Sequence, residues 1–158
     1  MEILEGHIYK AFDIELKELK EKLLLEAGLV ERAIQDAIKA LLERTSDIAR
    51  KVIEDDDSVN ALEVEVDEFC LKLLALRQPA ARDLRFITTA IKINYDLERI
   101  GDMAVNICER VLELNQEPQL KPYIDLPTMA SIVQTMVKES LDAFVKEDVQ
   151  LALKVTQD

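Results

Sequence analysis

The stretch Ala90–Leu114, AIKINYDLERIGDMAVNICERVLEL, decides the fold class. Its apolar residues recur in alternating steps of three and four: Ala90, Ile93, Leu97, Ile100, Ala104, Ile107, Val111 and Leu114. That rhythm puts them on one stripe of an α-helix and differs from the two-residue alternation of a half-buried strand. A stripe kept over so many turns marks a helix packed along its length against other helices.

The neighbouring segments have the same period. Before it, Leu62, Val66, Phe69, Leu73 and Leu76 keep heptad spacing up to Arg77, and Pro79 suits the first turn of the next helix. Further back, Phe12, Leu16, Leu19, Leu23 and Ala27 form a stripe that Val30, Ile34, Ile38 and Leu41 continue past Gly28. Gly28 is a place where that first helix would bend. Arg44–Asp47 reads as a break with Thr45 or Ser46 as N-cap, followed by a short helix to Glu54. Asp55-Asp56-Asp57-Ser58 reads as a second break or kink. After the central stretch, Asn115–Pro127 holds Pro118, Pro122 and Pro127 and reads as a linker. A further amphipathic helix starts near Thr128, with Ile132, Val133, Met136, Val137, Leu141, Phe144 and Val145 on its apolar face.

A displacement of 103 residues superimposes the first helix on the last. Val30 falls on Val133, Ala40 on Ala143, Ala49 on Ala152, Lys51 on Lys154 and Val52 on Val155. One unit is thus a long helix, a kinked helix and a third helix, and the second unit stops inside its second element. The sequence therefore divides into residues 1–115, a three-helix unit; 116–127, a Pro-rich linker; and 128–158, the beginning of a second, incomplete unit. The chain looks like a truncated form of a two-bundle protein, and its last helix needs another surface to cover its apolar face.

Composition agrees with an all-α class. Of 158 residues 49% are hydrophobic, which is enough for a core, while three Gly and four Pro leave room for long uninterrupted elements. The formal net charge of -12 repels nucleic-acid phosphates and anionic lipid head groups, so neither nucleic-acid binding nor membrane adsorption is expected. Such a surface attracts metal cations or a basic patch on a partner, or merely maintains solubility. Cys70 and Cys108 form no CxxC pair and fall inside helical patterns, as buried or half-buried thiols do. No apolar run approaches the roughly 20 residues of a membrane span. Met1–Lys10 carries Glu2 and Glu5 and lacks the plan of a signal peptide, so a cytoplasmic setting follows.

Two short patterns carry candidate chemistry: Glu63-Val64-Glu65-Val66-Asp67 and Glu98-Arg99-Ile100-Gly101-Asp102. Each sets two carboxylates one helical turn apart on one face, where they repel each other unless a cation intervenes. Helical geometry turns both pairs away from the apolar stripes, onto or near the bundle surface. Asn94 and Asn106 extend the second row by one turn each, and Asn60 precedes the first. Oxygen-only donors suit hard cations such as Mg²⁺, Mn²⁺ or Ca²⁺, and iron also accepts carboxylates. In so acidic a chain the plain alternative is a solvated acidic face. Ferritin-like di-iron sites add Glu-x-x-His pairs inside the bundle; here the single histidine, His7, reads as an exposed terminal residue. Neither a nucleophile–base pair nor a Gly-rich phosphate loop stands out, so catalysis is not expected.

Three motifs together resemble the PhoU family. Asn60-Ala-Leu-Glu63-Val-Glu-Val-Asp67-Glu68 is similar to its first signature, and Tyr95-Asp-Leu-Glu98-Arg99-Ile-Gly101-Asp102-Met-Ala-Val-Asn106-Ile to its second. Gln78-Pro79-Ala80-Ala81-Arg82-Asp83-Leu84-Arg85 resembles the segment between them. The resemblance implies a PhoU-like three-helix bundle followed by the truncated start of a second, repeated bundle. It implies divalent or trivalent metal ions, or a multinuclear iron or zinc cluster, held by Glu63, Asp67, Glu98 and Asp102, with Asn60, Asn94 and Asn106 as weaker candidates. It also implies a non-enzymatic regulator of phosphate uptake and phosphate-regulon signalling, repressing when phosphate is plentiful. The implied partners are the phosphate transporter ATPase subunit and the sensor histidine kinase, and a homodimer is expected. The alternatives are a metal-dependent phosphoester hydrolase and a metal-free structural module. Signatures of the second bundle would begin near position 166, past the last residue. Gly101 reads either as a close approach of backbone or ligand or as a helix–helix contact. Arg82 and Arg85 read as a clamp on Asp83 or on a helix C-terminus, or as a solvated basic turn.

Overall fold

The long stripes fold into long helices. A computed structural model describes residues 2–157, with side chains from residue 10 onward. The chain forms α1 (Glu2–Glu43), α2 (Ser46–Arg77), α3 (Ala81–Leu114), α4 (Leu126–Lys146) and α5 (Val149–Val155). Among the described residues there is no strand, and no helix is long and apolar enough to cross a membrane. His7 belongs to α1 rather than preceding it; its side chain lies outside the described residues.

α1, α2 and α3 pack as an up-down-up bundle around three successive apolar clusters. Nearest the α2–α3 turn, Leu19 and Leu23 meet Leu62, Val66, Cys70, Leu73, Ile87 and Ala90. At mid-bundle, Ala27, Val30 and Ile34 meet Val59 and Leu97. Nearest the α1–α2 turn, Ala37 and Ala40 meet Ala49, Val52, Ala104, Cys108 and Val111. Both cysteines are buried and free, and burial raises their thiol pKa to about 12 for Cys70 and about 11 for Cys108.

Several sequence expectations are corrected. Asp55–Ser58 is no break, because α2 runs through it without interruption. Val52 and Val59 carry the buried seam across the acidic stretch, Lys51 pairs with Asp55, and the Asn60 amide donates to Asp56 at 3.0 Å. These i,i+4 contacts support the helix where propensity alone is poor. Leu76, placed on the α2 stripe, is exposed: the seam moves to Cys70 and Leu73 and runs out before the turn. Pro79 stands just ahead of α3, whose N-cap is Ala80. α1 passes through Gly28 without a break, and that glycine faces open space.

The turn after α1 recurs after α4. Arg44 and Glu147 both adopt left-handed backbone, with φ of 54° and 56°. Thr45 N–H donates to Ala40 O at 3.0 Å, and Asp148 N–H to Ala143 O at 2.9 Å. Each closes a helix by the same six-residue bond and leaves an extended N-cap for the next one. The displacement of 103 residues thus reappears in backbone geometry. α4 lies against α1, with Leu141 in the mid-bundle cluster and Phe144 stacked on Phe86 at 4.9 Å between centroids. Arg82, at the start of α3, reaches Glu147 at the end of α4 rather than Asp83. Met129, Ile132 and Val133 stay exposed.

Candidate metal centre

The register of α3 decides the site. Its buried positions are Ile87, Ala90, Asn94, Leu97, Gly101, Ala104, Cys108 and Val111, an unbroken alternation of three and four. The sequence stripe through Ile93, Ile100 and Ile107 lies one position to the side, where those residues are half-buried. Asn94 is therefore not part of a surface row: it is 1% exposed and inside the core. The isoleucine one position before Asn94 supplies an equally good period, so the sequence pattern alone does not put Asn94 on the seam. The same rotation brings Glu98 closer to the core, and it is half-buried rather than fully exposed.

Glu63 and Asp67 on α2 are half-buried and line one surface groove together with Asn94, Tyr95, Lys92 and Asp96 of α3. The Asn94 amide donates to the main-chain oxygen of Glu63 at 2.9 Å and fixes the two helices at that level. Glu98 has a raised pKa, first from desolvation and then from the like charges of Asp102, Glu63 and Asp56. Asp56 is raised for the same reason, by burial and by Asp102 and Asp57, against the Asn60 hydrogen bond that lowers it. Glu63, Glu98 and Asp102 thus belong to one acidic strip along the α2–α3 seam, which Asp56 joins. Asn60 reaches it through Asp56, and Asn106 is exposed one turn beyond Asp102.

Some neighbouring acids are paired with a cation. Lys51 pairs with Asp55, Lys22 with Glu65 and Arg99 with Asp96. Among the described residues none of Glu63, Asp67, Glu98 and Asp102 forms an ion pair.

Sequence reasoning missed Glu26. It occupies a seam position of α1 between Leu23 and Val30 and is 0% exposed. Both of its carboxyl oxygens lack a hydrogen-bond partner, as does Asn94 Oδ1. Burial, with Glu63 and Glu98 adding to it, raises its pKa to about 8. The signal was present in the sequence: an acid stands in the three-four rhythm where an apolar residue belongs.

An all-oxygen donor set with orphaned buried oxygens fits a hard cation. The carboxylates are spread along the strip, and among the described residues no three of His, Cys, Asp and Glu are already gathered around one point. Gly101 packs against this level: a Cβ there would meet Asp56 Oδ1 and Val59 Cγ1 at 3.5 Å and Val30 Cγ2 at 3.9 Å. Those are ordinary contacts, so Gly101 is a helix–helix contact rather than a gap held open.

Comparison with known proteins agrees with this architecture. The family described as PhoU domain matches residues 23–111. The phosphate-specific transport system accessory protein PhoU homolog of Pseudomonas aeruginosa is 43% identical over 155 residues, covering 98% of this chain and 64% of the relative. The accessory protein PhoU of Escherichia coli is 36% identical, over 98% of this chain and 64% of its own length. The chain thus spans less than two thirds of these relatives. The crystal structure of PhoU from Pseudomonas aeruginosa superimposes with a TM-score of 0.89 at 44% identity, covering 92% of this chain and 70% of that one. The phosphate transport system regulatory protein PhoU from Streptococcus pneumoniae gives a TM-score of 0.84 at 30% identity. With its signatures on α2 and α3 and a domain match over more than half its length, the chain belongs to the PhoU family.

Proposed function

We propose that this protein is a non-enzymatic regulator of phosphate uptake and phosphate-regulon signalling. In this reading it works in the cytoplasm as a metal-binding adaptor between the ATPase subunit of the phosphate transporter and the sensor histidine kinase. Residues 128–158 open a second repeat, a reading supported by the recurrence of the α1–α2 turn after α4. The observation that carries the proposal is the unpaired acidic strip, formed by the residues of the family's two signatures.

Glu63, Asp67, Glu98 and Asp102 would hold the cation, with Asn94 Oδ1 and Asn60 as neutral oxygen donors. A bound cation supplies positive charge that offsets the mutual repulsion of these carboxylates. Because Glu63 and Asp67 ride on α2 and Glu98 and Asp102 on α3, holding it in common ties two helices together. It also lowers the negative charge of a surface that a basic partner would otherwise favour. The sequence has one histidine, His7, and the strip brings oxygen donors together without an imidazole.

Elemental analysis of protein purified without chelator tests the metal. Wild type should carry bound metal, and Glu98→Gln with Asp102→Asn should lose most of it. In cells, deletion of the full-length gene should release phosphate repression, and the double variant should fail to restore it. Regulation unchanged by the deletion would overturn the adaptor. Light scattering on the purified protein tests the expected homodimer.

A further inference from the structure

The structure assigns a third helix to the cation site: we infer that Glu26 of α1 is its inner ligand, reaching from the core toward the α2–α3 strip to coordinate an oxygen-preferring metal ion. This inference rests on the cation reading of the strip.

Glu26 lies at a boundary in the core. On α1, Leu19 and Leu23 belong to one apolar cluster and Ala27 and Val30 to the next. On α2 the same boundary falls between Leu62 and Val59, and on α3 between Ala90 and Leu97. The polar residues at that level are Glu26 from α1 and Asn94 from α3, whose amide bonds the main-chain oxygen of Glu63 on α2, with Glu98 one turn further along α3. α1 and α3 therefore each enclose an unsatisfied side-chain oxygen, next to the α2 carboxylate of Glu63 in the strip.

The burial of Glu26 has no structural explanation in the chain itself. Enclosing a carboxyl group is costly unless it is hydrogen-bonded or paired. Glu26 is 0% exposed, both its oxygens lack a hydrogen-bond partner, and no Lys or Arg forms an ion pair with it among the described residues. By contrast Glu15, on the same helix, meets Arg77 through two bonds of 2.8 and 2.7 Å. The charges that act on Glu26 are Glu63 and Glu98, both members of the strip. Asn94 repeats the pattern: its Nδ2 is used within the protein, while its Oδ1 is left without a partner. Two orphaned side chains on two helices, Glu26 and Asn94, with Glu63 and Glu98 close enough for their charges to act on Glu26, form an oxygen donor set that a cation would satisfy.

The inference is tested by titrating Mn²⁺, and Zn²⁺ in parallel, into metal-free protein. Wild type, Glu26→Gln, Glu26→Asp and the Glu98→Gln/Asp102→Asn double variant are compared, with amide hydrogen exchange of α1 followed alongside. Circular dichroism checks that each variant is folded. Wild type should bind and gain exchange protection around Glu26, and the double variant should not bind. Glu26→Gln, which keeps the shape and loses the charge, should raise Kd at least tenfold and lose the α1 protection. Glu26→Asp, a shortened carboxylate, should recover part of both. A Glu26→Gln protein with wild-type Kd and wild-type protection overturns the role of Glu26 and leaves the strip standing. Wild type that binds neither metal overturns both. If Glu26→Gln does not fold, a Glu26→Asp protein that binds more weakly than wild type with reduced α1 protection supports the inference, and one with unchanged Kd and unchanged protection sinks it.

Discussion

At the end of the bundle nearest the α1–α2 turn, the seam is made of Ala37, Ala40, Ala49, Ala104 and Cys108; at mid-bundle it includes Glu26 and Asn94. The helices, the three-four register and the degree of burial are the same in both places. At the alanine-rich end, small side chains fill the seam with nothing polar enclosed, and its contacts serve only packing. The mid-bundle layer contains the two buried polar side chains among the described residues, and it keeps oxygens that no protein group satisfies. The two regions thus differ along one bundle: an alanine-rich end holds the helices in register, and the mid-bundle layer encloses polar groups beside the acidic strip.

The largest effect should come from removing the titration in the polar layer. The folded-state pKa of Glu26 is raised to about 8 from 4.5. Folded protein therefore holds a proton that unfolded protein releases, and stability falls as pH rises from about 4.5 to about 8. For metal-free protein in chelator, the unfolding free energy from urea titrations should drop by roughly 3 kcal/mol between pH 5 and pH 8.5. Glu26→Gln should remove most of that drop. Glu15 acts in a separate window: its pKa is lowered, first by the Arg77 hydrogen bond, so its contribution is lost only as the solution becomes more acidic than its unfolded pKa. An undiminished drop in Glu26→Gln would erase the contrast between the two regions.

Overpacking the alanine-rich end is expected to cost less. Ala104 is 1% exposed among Ala37, Ala40 and Cys108, so Ala104→Leu should destabilise by about 1–3 kcal/mol without changing the pH slope. An equal change in slope would mean that the two regions are not independent.

The smallest effect should be a gain. Gly101 is helical, and an added methyl would meet only ordinary contacts, so Gly101→Ala should stabilise by about 0.5–1 kcal/mol in thermal or urea unfolding. A loss instead would show that the α2–α3 approach at Asp56 and Val59 is tighter than the contact distances imply.

Much of the fold was legible because helical period survives small errors of phase. The stripe through Ile93, Leu97 and Ile100 and the seam through Asn94, Leu97 and Gly101 both announce the same long helix. What they place in the core is different, so the element was clear while the burial of Asn94 was not. Asp55–Ser58 misled for a related reason. Three acids and a serine look like a turn locally, yet Val52 and Val59 on the buried side outweigh them once α1 and α3 are there to cover those valines.

The sequence by itself determined that this chain is helical, that its helices carry repeated ExxxD patterns, that its first and last long helices share an apolar pattern at a displacement of 103 residues, and that the motifs are those of one family. Each of these properties is local or periodic along one chain, so no neighbour is needed to see it. Only the tertiary structure decided which carboxylates share a neighbourhood, that α2 is unbroken, and that Glu26 is enclosed without a partner. Burial and electrostatic coupling depend on what lies across the gap between helices, and that is set by the rotation of each helix about its own axis. A rotation of one residue, about 100°, leaves the pattern of hydrophobicity nearly unchanged and exchanges a core isoleucine for a core asparagine.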